Sequence, residues 1–277
     1  MRAVINMPDG PMIESDLAAA AFGDRPGRWP LPSAGTPDQL WLRAVAAGGQ
    51  GRFGSARSDL GTLIRRAPGD RLASLAHSTQ ASFLRQLGWH RLARGWDGRA
   101  LALAGDDPEA AADALIGLAA DALGVGRLGA AATLLSRAEP KVAGTTTADR
   151  GSVRRAWGVA ELAMAAGDGA TAVRNAELAV ELAAAPAHQP VSARHCAKSG
   201  VVLAAALCSA GALGRAQTVG DAALELTGRL GLVPLRWAVA RLLIDVGSPS
   251  SPIEELRGIR DECARRVRDR GGTWSER

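Results

Sequence analysis

Tyrosine is absent from this chain, phenylalanine occurs three times, and aromatic residues make up 4% of its 277 positions. With β-branched residues also scarce, a large sheet is excluded. Lysine is nearly missing too: Lys141 and Lys198 are the only two among 33 basic residues, and the rest are arginines. That preference reads first as GC-rich codon usage, and second as a need for forked, bidentate donors. The three cysteines, Cys196, Cys208 and Cys263, are odd in number and fit no zinc or redox spacing. They read as free, mostly buried thiols in a reducing compartment. Long apolar runs are lacking. The most apolar one, Gly200 to Leu213, is too short to cross a bilayer. The first seven residues have no apolar signal core. The expectation is a cytoplasmic protein without a membrane segment.

Motifs that carry chemistry are missing as well. There is no phosphate-binding Gly-x-x-x-x-Gly-Lys loop, no Gly-x-Ser-x-Gly, no His-Glu-x-x-His and no calcium-binding loop. His77, His90, His188 and His195 stand at no helical ligand spacing from one another or from cysteine. His195 and Cys196 are adjacent, which on a helix sends them to different faces. His77 reads as a packed, hydrogen-bonded side chain, and Asp106-Asp107 as helix caps. The expectation is a non-enzyme with no cofactor and no metal.

What the chain does have is a repeated frame. Gly126-Arg-Leu-Gly-Ala-Ala131 recurs in form at Gly51, Gly88, Gly167 and Gly211, with the next small residue at Ala56, Ala93, Ala172 and Ala216. The successive glycines lie 37, 38, 41 and 44 residues apart, a period of helical repeat arrays. Seven positions before the glycines stand Ala44, Ala81, Ala119, Ala160 and Ala204, and Ala240 holds the same place before Gly247. Four before stand Ala47, Leu84, Ala122, Ala163, Leu207 and Leu243. Twelve after stand Leu63, Ala100, Ala138, Ala179 and Ala223. Small residues at −7 and +5 let two antiparallel helices cross closely. The glycine between them suits a left-handed helix cap. Each unit is then an αα-hairpin, and stacked hairpins bury one another.

This pattern resembles the tetratricopeptide repeat family in a degenerate form. The resemblance rests on the first-helix alanine, the turn glycine, the residue two later (Phe53, His90, Leu128, Leu213), the following alanine, and Pro68 closing the first unit. It covers roughly residues 37–267. It departs from the family in the lack of tyrosine, in longer units, and in tryptophans one position late: Trp41, Trp157 and Trp237. It implies an all-α solenoid of five to six hairpins with a C-terminal capping helix. Residues 1–36 then form an irregular extension with a short helical patch near Ile13 to Phe22. Residues 37–270 form the repeat domain, and 271–277 a tail. Glu139-Pro140 to Thr147 and Ala184 to Pro190 read as the loops that lengthen the later units. The last helix, with Glu254 and Glu255 in its first turn and arginines in its last, matches the helix dipole.

The resemblance also implies that first helices line a concave groove, with positions −13, −10 and −6 from each glycine facing inward. These are Arg154, Trp157 and Glu161, then Lys198, Val201 and Ala205, then Pro234, Trp237 and Arg241. Earlier units give Asp38, Trp41 and Val45, then Leu75, Ser78 and Ser82. Arg85 points the same way, and Arg155, Arg194 and Arg236 sit near the same ridge. Residues 150–241 carry ten basic and six acidic side chains. The candidate partner-binding residues are therefore Trp41, Arg85, Arg154, Trp157, Glu161, Arg194, Lys198, Trp237 and Arg241. Trp and Arg are common interface anchors; packing of the tryptophans between repeats is the plainer alternative. The function expected is an adaptor or scaffold that holds a partner protein or an acidic peptide in the groove, with self-association also allowed. Such arrays also occur as sensor regions of bacterial transcription regulators, which gives a regulatory expectation. Binding of nucleic acid or another polyanion is the alternative, motivated by a net charge of +5.

Overall fold

The chain was analysed as a computed structural model that describes residues 10–66, 69, 71–143, 150–185 and 191–275. Among these residues every regular element is a helix: α1 (Gly10–Phe22), α2 (Pro37–Gly49), α3 (Phe53–Arg66), α4 (Arg71–Gln86), α5 (His90–Leu103), α6 (Pro108–Gly124), α7 (Leu128–Ala143), α8 (Arg150–Ala165), α9 (Gly169–Ala184), α10 (Ala193–Ser209), α11 (Leu213–Arg229), α12 (Val233–Val246) and α13 (Ile253–Asp269). From α2 onward they pair as six hairpins. The first helices of these hairpins, α2, α4, α6, α8, α10 and α12, pack side by side in chain order. The result is an all-α solenoid with sequential packing.

The glycine frame makes the hairpins. Gly51, Gly88, Gly126, Gly167, Gly211 and Gly247 all have φ between 73° and 88°, a region costly for any residue with a Cβ. In the first five turns, the amide after the glycine bonds back to the carbonyl four before it. Examples are Arg52 N to Ala47 O at 2.9 Å and Arg127 N to Ala122 O at 2.8 Å. This is a Schellman closure. The six alanines at −7 and the five at +5 are each 0% exposed, as the close crossing of two backbones requires. Thr36 caps α2 in a reciprocal capping box with Gln39, and Asp107 caps α6 through the Ala110 amide at 2.8 Å.

One expectation about chain breaks shifts. α7 does not stop at Glu139-Pro140 but runs through Pro140 to Ala143. The proline deprives the Ser136 carbonyl of its helical donor, and Ser136 is exposed, where solvent can take the place of the lost bond. Pro68, His188 and most of the two expected loops lie outside the described residues.

The larger difference is closure. The last hairpin returns to the first. Gly54 N donates to Arg270 O at 2.8 Å, Arg270 donates to Gln50 O at 2.9 Å, and Val267 joins Phe53 in one hydrophobic cluster. The C-terminal tail continues across. Ser275 N bonds Leu87 O at 2.8 Å, Trp89 Nε1 bonds Thr273 O at 2.7 Å, and the Trp274 ring lies 4.5 Å from that of Trp237. The α13 helix is thus the outer helix of a sixth hairpin, and the end it was expected to cap is covered by the first hairpin. On the inner side, α1 packs along α2 and touches α10, with Leu17, Ala20 and Ala21 buried. The open concave groove becomes a chamber inside a ring.

Candidate functional site

A cavity of about 410 Å³ lies inside the ring. All six first helices line it, together with Phe22 at the end of α1. Its charged lining is one-sided: Arg85, Arg150, Arg154, Arg194 and Lys198 against the single acid Glu161. The carboxylates that answer these cations stand mostly behind them, on the hairpins rather than on the chamber wall.

Arg85 on α4 is the best-satisfied cation. It pairs with Asp97 of its own hairpin, and with Asp121 of α6 at 3.1 Å, and donates to Gly117 O at 3.2 Å. Both acids are essentially solvent-free. Burial works against the charged guanidinium, but the two carboxylates outweigh it and hold Arg85 above its ordinary range. Two acids on one arginine are one too many. Burial pushes both up, Asp121 to about 7, with Asp97 as a further cause. Gly117 is required beside them, since a Cβ there would overlap the Asp97 carboxylate.

A second set forms a ladder. Arg71, Glu109, Arg150 and Arg194 each stand seventeen residues before a hairpin glycine, so they occupy equivalent places on α4, α6, α8 and α10. Arg71 pairs with Glu109, and Glu109 with Arg150 at 2.9 Å. Asp113, one turn along α6, takes Arg150 at 2.7 Å and Arg154 at 3.3 Å. Here the alternation ends. Arg194 follows a cation, not an acid, and no described carboxylate lies within ion-pair distance of it. Its one hydrogen bond goes to Val45 O at 3.4 Å. Burial, with Arg154 and Arg150 next, brings Arg194 down to about 10. Arg154 is lowered too, burial first, whereas Asp113 and Glu109 carry Arg150 upward despite burial.

The aromatic wall is tied down. Trp157 Nε1 donates to Ser199 Oγ of α10 at 2.8 Å, the His195 ring meets it edge-on at 5.4 Å, and Lys198 Nζ lies 4.8 Å from its ring centre. Lys198 also reaches Glu161 at 3.4 Å.

Seven of the nine expected residues line this chamber: Arg85, Arg154, Trp157, Glu161, Arg194, Lys198 and Trp237. Two do not. Trp41 is buried between hairpins, with Nε1 donating to Thr79 Oγ1 at 3.1 Å and its ring against Phe22. Arg241 is exposed on the far side of Trp237, 5.9 Å from its ring centre. It does not line the cavity, whereas Trp237 does. Arg155 pairs outward with Glu139 at 2.9 Å, and neither it nor Arg236 lines the chamber. Asp38, Leu75 and Ser78 are likewise off the wall. His77 is packed as expected, Nδ1 lying 2.7 Å from Ala73 O.

Among the lining residues that escaped sequence reasoning are Phe22, Arg150 and His195. Arg150 was within reach, since it sits one turn before Arg154 on the same face. His195 turns inward beside Arg194. Phe22 lies outside the repeat and had no periodic signal. Among the described residues no group of three or more His, Cys, Asp or Glu could hold a metal ion, and no helix is long and apolar enough to cross a membrane. No family model matches the chain, and no curated protein resembles it in sequence.

Proposed function

We propose that this chain is a non-enzymatic adaptor, a ring of tetratricopeptide-like hairpins that holds a partner protein or peptide by an acidic group received in the central chamber. The observation that carries this is Arg194, a cation on the chamber wall next to Arg150 and Arg154 with no carboxylate of its own. An unpaired charge in a poorly solvated site is costly, and an incoming acid would relieve it. The glycine-and-alanine frame supports the family reading. Trp157 and Trp237 supply the aromatic wall that interface anchors favour. A regulatory role and a cytoplasmic setting go with the same reading.

Affinity purification of the tagged protein from its own host, with and without nuclease, tests it. A dominant protein that survives nuclease and is lost from Arg194→Glu is the expected outcome. Recovery that vanishes with nuclease would move the function to a polyanion and refute the adaptor.

A further inference from the structure

The chamber's charge, size and lining together select what it can hold. Arg71, Arg150, Arg154 and Arg194 face three carboxylates, Asp107, Glu109 and Asp113, which leaves one positive charge, at Arg194. The other lining cations are answered, Lys198 by Glu161, and Arg85 by Asp97 and Asp121, which balance it as long as the pair holds one proton, as the raised Asp121 does below about pH 7. One surplus charge matches a monoanion, and the guanidinium fork suits a carboxylate. A phosphate dianion would leave a negative charge without a partner in a low-dielectric site.

Size limits the rest of the ligand. A cavity of about 410 Å³ lies near the lower end of the range for small-molecule sites, roughly 300–1,000 Å³. It has no room for a long stretch of extended peptide. Beyond the cations the wall carries an apolar portion, Phe22, Met164, Val201, Leu235 and Trp237, beside the polar Thr79, Ser82, Gln86 and His195.

We infer that the chamber is the receptor site of a free monocarboxylic acid with an apolar body, its carboxylate on Arg194, competing there with the partner's acidic group. The inference rests on the reading of the chamber as the adaptor's contact site. The acid is then an effector: when it is abundant the partner is released.

Calorimetric titration of the full chain with octanoate tests this, with octanamide and inorganic phosphate as controls. Octanoate binds, and the two controls do not. Arg194→Gln weakens octanoate by about tenfold or more, the value of a charge-assisted hydrogen bond, and Arg194→Lys recovers part of the loss. Circular dichroism establishes that each variant is folded. Val201→Trp fills the cavity without altering charge and also blocks octanoate, which keeps the test open if Arg194 variants fail to fold. Octanamide binding as tightly as octanoate, or octanoate binding unchanged in Arg194→Gln, overturns the inference. The adaptor reading fails separately. A partner recovered from the host by a chain that does not bind octanoate sinks the effector and leaves the adaptor. Octanoate bound by a chain that recovers no partner supports the site and sinks the adaptor.

Discussion

Arg85 and Arg194 occupy opposite ends of one design choice. Both are arginines on first helices, both face the same chamber, and both are partly buried. Arg85 is gripped by two acids from two hairpins, so it fastens α4, α5 and α6 to one another. Arg194 is gripped by a single carbonyl and pressed by two other arginines. The comparison teaches that burial of a cation says little about its purpose. What distinguishes a brace from a receptor is whether the protein itself supplies the counter-charge.

The comparison can be broken most directly by removing the brace. Arg85→Ala leaves Asp97 and Asp121 buried without a cation and should cost about 3–5 kcal/mol, read by urea denaturation. A loss under 1 kcal/mol would mean that the pair of acids is not a strong clamp. The next largest effect is a pH dependence. The proton on Asp121, held to about 7 chiefly by burial, stays on the folded chain where the unfolded chain, near 3.8, releases it. Stability therefore falls as pH rises between those values, by up to about 4 kcal/mol. Asp121→Asn should flatten that slope relative to the wild type; parallel pH curves would remove the raised Asp121 as its source.

Smaller effects test the frame and the receptor. Ala119→Leu puts bulk at a fully buried helix crossing and should cost about 1–3 kcal/mol. Gly211→Ala forces a Cβ onto φ 76° and should cost about 1 kcal/mol. Arg194→Gln is expected to go the other way. Losing an unanswered cation should raise stability by roughly 1 kcal/mol after the lost stem packing is subtracted, with the melting temperature as readout. A clear drop in melting temperature would place Arg194 with Arg85 as a brace.

Much of the fold was legible because its cause is local. Alanine at −7 and +5, glycine between them, and an N-cap such as Thr36 act within one hairpin, and their spacing appears directly in the chain. The inward positions came from the resemblance to tetratricopeptide arrays, which implied that Arg154, Trp157 and Lys198 share one wall. Arg241 and Trp41 were misplaced for a shared reason. Period fixes a face to within a turn, while neighbouring rings decide which side chain reaches the cavity. Pro140 was misread because an exposed carbonyl tolerates the loss that a buried one would not.

Closure was not legible. The contacts of Arg270, Thr273 and Ser275 with the first two hairpins join residues 184 to 220 positions apart in sequence. No periodic signal records them, because they depend on the summed rotation of six hairpins. The same is true of Phe22, which enters the wall from a segment outside the repeat. By itself, then, the sequence determined that this chain is a stack of tightly crossed helical hairpins with cations and tryptophans on one face. Only the tertiary structure decided that the stack shuts into a ring, that most of those cations are already answered, and that Arg194 is not. The physical reason is that helix period is a property of neighbours in the chain, whereas neutralisation is a property of neighbours in space.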